Sequence, residues 1–433
     1  MIPASRFQAS IELTQAIAED RRPADQVVSD YLRGRRYIGA KDRRWLTQAV
    51  YDRLRRLARL TWWLRRCDLF VDARSQALAE QILVAGQDIA GLGQLCSGER
   101  FAPDKLDPEE KRKLRSLEGE PLDHPDQAPD IAGECPDWLL ERLPERPAEL
   151  LKALCREAPL DLRVNLLATT RAEAQAALAK EEIPASETAL SPLGLRVAGR
   201  RNVAATEAFR GGLIERQDEG SQLAALLVEA QPGERVCDFC AGAGGKSLAL
   251  AAAMANKGSL VALDVSKTRL DRAGQRLRRA GAFNVTRRVL SDHRDPWVKR
   301  HKAGFDRVLV DAPCSGIGAW RRNPDARWRT LPEDLARLAA LQGEILASAA
   351  RLVKPGGRLV YVTCSLLAEE NQDQVAAFLT KTPGFAQQDI ATLRPELAQG
   401  VDSVGGLTLR PDREGTDGFY VAVLSRQNAE AAA

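Results

Sequence analysis

Hydrophobic and polar positions follow two rhythms along this chain, and the change falls in its second hundred residues. In the first 70 residues Val50, Leu54, Leu57, Thr61 and Leu64 recur at steps of three and four, the spacing of one buried helix face. Residues 1 to about 70 are therefore predicted to be helical. Residues 97–136 carry Gly, Pro, Asp and Glu clusters and read as loop, with a short helix at 108–117. From Asp161 the pattern changes. LRVNLLA predicts a strand, 171–181 a helix and GLRVA another strand, a small α+β module that ends near 205. From Gly211 onward, apolar strands are expected at 234–239, 259–263, 285–290, 306–311, 357–363 and 418–424. Helices are expected between them at 246–255, 267–280, 333–352 and 369–381. That alternation predicts an α/β fold with a doubly wound, mostly parallel sheet. The last strand, GFYVAVL, follows a turn-rich stretch and is expected to close the sheet antiparallel. The expected domains are 1–135, 136–205 and 206–426, with a tail at 427–433.

Composition adds limits. At 433 residues, with 44% hydrophobic and 28% charged, the chain is ordinary globular material for two or three domains. No apolar run approaches the roughly 18 residues of a membrane span, and MIPASRFQAS is not a signal pattern, so no membrane partner and a cytoplasmic location are expected. The 8 cysteines are scattered and read as reduced thiols. The 3 histidines form no set with Cys237 and Cys240, so no metal is expected. Oligomeric state is not readable, and a monomer is the default. Net charge is only +4, but its distribution is uneven. Residues 1–70 hold fifteen Lys or Arg against eight Asp or Glu, with Tyr37, Trp45, Trp62 and Trp63 interleaved. A solvated face and an RNA-contacting face both fit that pattern.

The chemistry sits at strand ends, where ligands bind in such sheets. RVCDFCAGAGGKSLALAAAM reads as strand, glycine loop and helix. Three ligands compete for this loop. Gly245-Lys246-Ser247 fits the end of a phosphate-binding P-loop, but Cys240 stands at its first glycine position. A dinucleotide fingerprint from Gly242 matches Gly244, yet its third glycine falls on Ser247. The third reading is an S-adenosylmethionine loop. Asp264, closing the next strand, suits the ribose hydroxyls of either of the last two ligands; a helix cap is its structural alternative. Two cysteines follow two later strands: Cys314 in DAPCSG, just after Asp311, and Cys364 in TCSLLAEEN. A single such cysteine is more often a small buried hydrophobe. Two at matched strand ends have a chemical reason. A thiolate added at carbon 6 of cytosine makes carbon 5 nucleophilic, and a second group must then help the product leave. A carboxyl group at Asp311 is suited to hold the ring at nitrogen 3.

CAGAGGK, ALDVSKTRL, DAPCSG and TCSLLAEEN, with RQDEGSQLAALL upstream and DGFYVAVL at the end, resemble the RsmB/Sun (Fmu) family of RNA cytosine-5 methyltransferases over roughly 160–425. The N-terminal GRRYIGAKDRRWLTQAVYDRLRR is more loosely similar to the helical NusB-type RNA-binding domain of some members. The resemblance implies a Rossmann-like S-adenosylmethionine-dependent methyltransferase domain, a NusB-like helical domain and a small RRM-like linker module. It implies Cys364 as nucleophile and Cys314 as the cysteine assisting release. It implies S-adenosylmethionine contacts from Cys240, Ala241, Gly242, Ala243, Gly244, Gly245, Lys246, Asp264, Arg269, Asp292 and Asp311, with Lys246 also facing the substrate. The family usually has Ala-Pro-Gly-Gly-Lys, and this loop has Ala243 in place of the proline. A nucleophile at Cys314, as in DNA cytosine-5 enzymes, is the competing assignment. Residues 267–302 hold twelve Lys or Arg against three Asp, and Arg321, Arg322, Arg327 and Arg329 follow DAPCSG, giving a basic rim expected to meet RNA phosphates. Trp320 and Trp328 are candidates for base stacking, with core packing expected for at least one of them. The expected partner is RNA, small-subunit ribosomal RNA first and transfer RNA second. A P-loop nucleotide hydrolase and a non-catalytic RNA-binding assembly factor are the readings from other classes.

Overall fold

The computed structural model describes residues 1–199 and 201–428. The chain divides into two compact units, residues 1–157 with 320–331, and residues 158–319 with the remainder from Pro332. The last five residues of the expected tail lie outside the described residues.

The first unit is helical. Its main helices are Pro3–Glu19, Ala24–Gly34, Ala40–Leu54, Leu57–Arg66, Ala73–Leu83, Ile89–Leu95 and Pro108–Arg115. The continuous face expected from Val50 to Leu64 is interrupted. One helix stops at Leu54 and the next starts at Leu57, so Leu60, Trp63 and Leu64 enter the core while Leu57 and Thr61 are half-buried. The break has a visible partner. Arg53, just before it, and Arg56, within it, both reach the buried carboxylate of Glu80, at 3.1 and 2.9 Å. Trp63 is core, its indole N–H donating to the Leu122 carbonyl, so it is not an RNA-stacking residue, whereas Tyr37 is exposed.

The segment 320–331 corrects a second expectation. Trp320 and Arg327 are fully buried, and the guanidinium lies 5.0 Å from the centre of the Trp320 ring. Arg327 donates to the carbonyls of Glu134 at 3.0 Å and Leu154 at 3.2 Å. Arg329 pairs with the buried Asp325 at 2.8 Å. Trp320 is thus unavailable for stacking on bases, and Arg327 is unavailable for phosphates. These residues are spent on internal structure.

The second unit holds two sheets. The smaller is antiparallel and contains β1 (Leu160–Val164), β2 (Ala185–Glu187), β3 (Gly194–Val197) and β4 (Ile214–Arg216), in the order β2-β3-β1-β4. Its apolar face, including Leu162, Val164, Leu195 and Val197, packs with Ala174 and Leu178 of the helix Arg171–Lys180. That helix starts at a reciprocal Thr170/Glu173 capping box. β4, from beyond residue 205, supplies the edge of this sheet.

The larger sheet contains β5 (Arg235–Asp238), β6 (Ser259–Asp264), β7 (Val285–Val289), β8 (Phe305–Asp311), β9 (Val353–Thr363), β10 (Phe385–Gln388), β11 (Leu407–Leu409) and β12 (Phe419–Arg426). Its order is β10-β12-β9-β8-β5-β6-β7, with β11 pairing on β12. Strands β5 to β9 are parallel, and β12 runs antiparallel to β9. The predicted strands and helices are all present. β12 does not close the sheet, however, because β10 pairs on its outer side. Helices cover both faces, which explains why β8 and β9 read as near-continuous apolar runs. From β5 the chain moves outward through β6 and β7, then returns to the other side for β8 and β9. The crevice at the carboxyl ends of β5 and β8 is therefore the topological switch point.

Candidate active site

The glycine loop leaves β5 at this switch point. Gly244 caps the helix Gly245–Ala253 with φ +79°, and a Cβ there would meet the Ala273 Cβ at 2.9 Å. Glycine is required on both counts. Asp264, at the end of β6, holds the loop and its own turn together. Its Oδ2 accepts the Gly242 N–H at 2.9 Å, and its Oδ1 accepts the Ser266 N–H at 2.7 Å. The helix cap itself is the Ser266 hydroxyl. Arg276 reaches back to the Ala243 carbonyl at 2.8 Å and to Glu215 of β4 at 3.3 Å. The small sheet thereby braces the glycine loop through one guanidinium, at the position where the family usually has proline.

A cavity of about 480 Å³ opens at these strand ends. Cys240, Gly242, Asp264, Arg269, Asp292, Asp311, Cys314 and Cys364 all line it, as do the apolar Phe239, Val265, Leu290, Leu341 and Ile345. Ala241, Ala243, Gly244, Gly245 and Lys246 do not. Ala241 packs on Ala262 and Leu270, and its N–H is used by the Leu263 carbonyl. Phe239 and Val265 lie inside the quoted stretches and Leu290, Leu341 and Ile345 outside them; none has the chemistry by which the motifs were marked.

Lys246 is buried beside the cavity, 2.7 Å from Asp311 and with its ammonium over the Phe419 ring. Burial works against its charge, but Asp311 outweighs burial and raises its pKa. Asp238, buried at the end of β5, accepts from the Ser247 hydroxyl at 2.6 Å. Burial pushes its carboxyl up to about 7, against the lowering effect of that hydrogen bond. Burial, with Asp311 adding its charge, drives the Cys240 thiol well above the ordinary range, which unsuits it as a nucleophile.

Cys314 and Cys364 stand with their Sγ atoms 3.4 Å apart. The hydrogen bond to Cys364, then burial, push the Cys314 thiol far up. The two cysteine loops are joined beneath the thiols by Glu370, which the motifs alone do not mark. The doubled Cys-Ser, at 314–315 and 364–365, was its signal, because both serine hydroxyls end on that carboxylate. Among the described residues no group of three or more His, Cys, Asp or Glu is arranged to hold a metal ion, and no helix is long and apolar enough to cross a membrane.

Comparison with known proteins gives this geometry its relatives. Residues 225–425 match the model of the 16S rRNA methyltransferase RsmB/F, and residues 135–204 match the ferredoxin-like domain of RsmF/B-like methyltransferases. Ribosomal RNA small subunit methyltransferase B of Vibrio cholerae is 38% identical over 298 residues, 68% of this chain and 65% of that protein. The protein of the same name from Shewanella oneidensis is 35% identical over 315 residues, 72% of this chain and 71% of its own length. The aligned part thus spans about two thirds of these relatives. Among solved structures, PH0851 is 27% identical with a TM-score of 0.79, covering 98% of this chain and 99% of its own. A methyltransferase homologue from Pyrococcus horikoshii is 26% identical with a TM-score of 0.60, covering 69% and 97%. The larger sheet is that of a Rossmann-like methyltransferase, and the chain belongs to the RsmB/F family of 16S rRNA methyltransferases.

Proposed function

We propose that this protein transfers a methyl group from S-adenosylmethionine to carbon 5 of a cytosine in RNA, with small-subunit ribosomal RNA as substrate. The observation that carries the reading is the pair of thiols, 3.4 Å apart, on the wall of the cavity at the sheet's switch point. The names of the relatives support ribosomal RNA over transfer RNA.

The residues fit the cofactor. The cavity volume lies within the roughly 300–1,000 Å³ usual for small-molecule sites. Asp264 would take the ribose hydroxyls with the lone pairs that Gly242 and Ser266 leave free. Phe239, Leu290, Leu341 and Ile345 would take the adenine face, with Arg269 and Asp292 at the rim. When bound, S-adenosylmethionine supplies a methyl cation equivalent from its sulfonium.

The protein's own groups do the rest. The Cys364 thiolate adds to carbon 6, and the displaced electron pair makes carbon 5 the nucleophile that takes the methyl group. The buried Lys246 ammonium interacts through its charge with Cys364 as well as with Asp311. Asp311, fixed by Lys246, presents its other oxygen to the cytosine edge. Once carbon 5 carries the methyl group, its proton must leave so that the Cys364–carbon 6 bond can break. Cys314, beside that bond, takes the proton after giving up its own to solvent, the double bond between carbons 5 and 6 re-forms, and Cys364 leaves as the thiolate. The target base must be unstacked to reach both thiols, which costs a few kcal/mol unless it already lies in a loop.

The test uses RNA from a strain lacking this protein, with labelled S-adenosylmethionine. Wild type is expected to form 5-methylcytosine in small-subunit ribosomal RNA, and Cys364→Ala to form neither product nor adduct. Cys314→Ala is expected to trap a protein–RNA adduct that survives a denaturing gel. An adduct that persists in Cys364→Ala and vanishes in Cys314→Ala would reverse the two thiols. Labelled transfer RNA would redirect the substrate.

A further inference from the structure

The two thiols have the same chemistry and touch one another, so something must decide which of them gives up the proton. Beneath them lies Glu370, fully buried. Its Oε1 accepts from the Ser315 N–H at 2.8 Å and from Gln342 Nε2 at 2.9 Å. Its Oε2 accepts from the Ser315 hydroxyl at 2.5 Å and from the Ser365 hydroxyl. Each serine immediately follows a site cysteine. Gln342 also donates to the Pro313 carbonyl at 2.9 Å, directly before Cys314. The Tyr361 hydroxyl donates to the Glu370 carbonyl at 2.7 Å, and Gly318 N–H to the Cys364 carbonyl at 3.0 Å. The loops after β8 and β9 are thus tied to one carboxylate.

Its four donors are all neutral. A buried carboxylate without a cation keeps its field for its neighbours, because no opposite charge cancels it. The charged or titratable groups around the thiols are unevenly placed. Glu370 accepts both the N–H and the hydroxyl of Ser315, next to Cys314, but only the hydroxyl of Ser365, next to Cys364; Tyr361, Lys246, Asp311 and Asp238 are the other titratable groups of the site.

We infer that Glu370 is a positioning residue that assigns the two thiols their roles. Its grip on Ser315 and Ser365 sets the spacing of Cys314 and Cys364, and its negative charge keeps the shared proton on Cys314. The anion is left on Cys364, beside Lys246. The far-raised Cys314 thiol agrees with this, with Glu370 adding its charge to the effects of the Cys364 hydrogen bond and burial. The assignment rests on the proposed two-thiol reaction, but its test does not need that reaction to occur.

The experiment is alkylation of the reduced, full-length protein with limiting iodoacetamide near pH 7, with each cysteine followed by mass spectrometry. Wild type is expected to lose the Cys364 thiol at least ten-fold faster than the Cys314 thiol. Glu370→Gln, similar in size without the charge, is expected to cut that ratio at least five-fold. Glu370→Asp keeps the charge and is expected to restore most of it. An unchanged ratio in a folded Glu370→Gln protein overturns the inference. Where Glu370→Gln fails to fold, the Ser315→Ala/Ser365→Ala protein decides. Loss of both hydroxyls frees the carboxylate, and the ratio is expected to fall at least three-fold; an unchanged ratio again overturns it. A wild type that shows the selectivity but methylates no RNA would remove the proposed function and leave the role of Glu370 standing.

Discussion

Residues 321–329 carry four arginines, and residues 267–302 carry twelve Lys or Arg. Both stretches lie near motif residues in the sequence, and both read as basic rims. In the structure Arg327 is fully buried on backbone carbonyls and Arg329 is paired with Asp325. By contrast Arg272, Arg278, Arg288, Lys299, Arg300 and Lys302 are exposed. The difference lies in the apolar positions between the charges. On the helix Lys267–Arg279, Leu270, Ala273, Gly274 and Leu277 form one buried face, which pushes the arginines to the other. Residues 320–329 have no such period. What buries Arg327 is the pair of carbonyls of Glu134 and Leu154, far away in sequence. Charge density therefore counts as a contact surface only where an apolar face fixes which way the charges point.

The strongest way to break this comparison is to remove Arg327. Arg327→Met keeps much of the volume but leaves two buried carbonyls without their donor. Each such loss costs about 1–3 kcal/mol, so a total of roughly 3–5 kcal/mol is expected. Urea unfolding measures it. A loss below about 1 kcal/mol, the scale of a surface substitution, would mean that the arginine is as dispensable as an exposed one.

A buried acid sharpens the same contrast through pH. Asp238 has a folded pKa of about 7 against an ordinary 3.8. Below pH 4 it is protonated in both states and contributes nothing to the pH dependence. As pH rises from 4 to 7 the unfolded chain releases this proton while the folded chain keeps it, so stability falls across that window and levels off above it. At about 1.4 kcal/mol per pKa unit the fall is roughly 2–4 kcal/mol. Asp238→Asn is expected to flatten the decline in a pH series of urea midpoints, and an unchanged slope would remove Asp238 as its source.

Arg276 is the intermediate case, half-buried between Glu215 and the glycine loop. Arg276→Ala is expected to cost about 1–2 kcal/mol of cofactor affinity, a roughly five- to thirty-fold weaker Kd for S-adenosylmethionine by calorimetry. A matching loss in Arg278→Ala, which is exposed, would show that charge near the loop matters rather than the brace.

The sheet was legible because β6, β8, β9 and β12 carry apolar runs bounded by turn residues, whereas β7, VTRRV, is mostly exposed; the site was legible because its residues end those strands. Asp264, Asp311, Cys314 and Cys364 needed only the strand boundaries to be brought together. β10 and β11 were not legible: FAQQ and LTL are short, and pairing on β12 rather than their own pattern makes them strands. Glu370 was hidden for a related reason. It sits in LLAEEN beside Glu369, and nothing local separates the exposed-looking pair until the fold brings Ser315 and Gln342 onto one of them. The break at Arg55–Arg56 likewise depends on Glu80, which lies in another helix.

The smallest expected effect on stability is also the one that tests the exposed half of the comparison. Among the described residues, Lys299, Arg300 and Lys302 have no buried partner to lose, so their joint replacement by alanine should change stability by no more than about 0.5 kcal/mol per site. Their value under the proposed function is electrostatic and long-ranged. Each phosphate left without its cation should flatten the dependence of RNA affinity on salt by about 0.7–0.9 in the log–log slope, so the triple variant should lose roughly 2–3. Filter binding to small-subunit ribosomal RNA across a salt series reads this directly. A flattened slope with unchanged unfolding would make 267–302 the phosphate-facing surface. An unchanged slope would mean that exposure alone, like charge density alone, does not identify where the RNA backbone runs, and would shift the search to the exposed arginines around Tyr37.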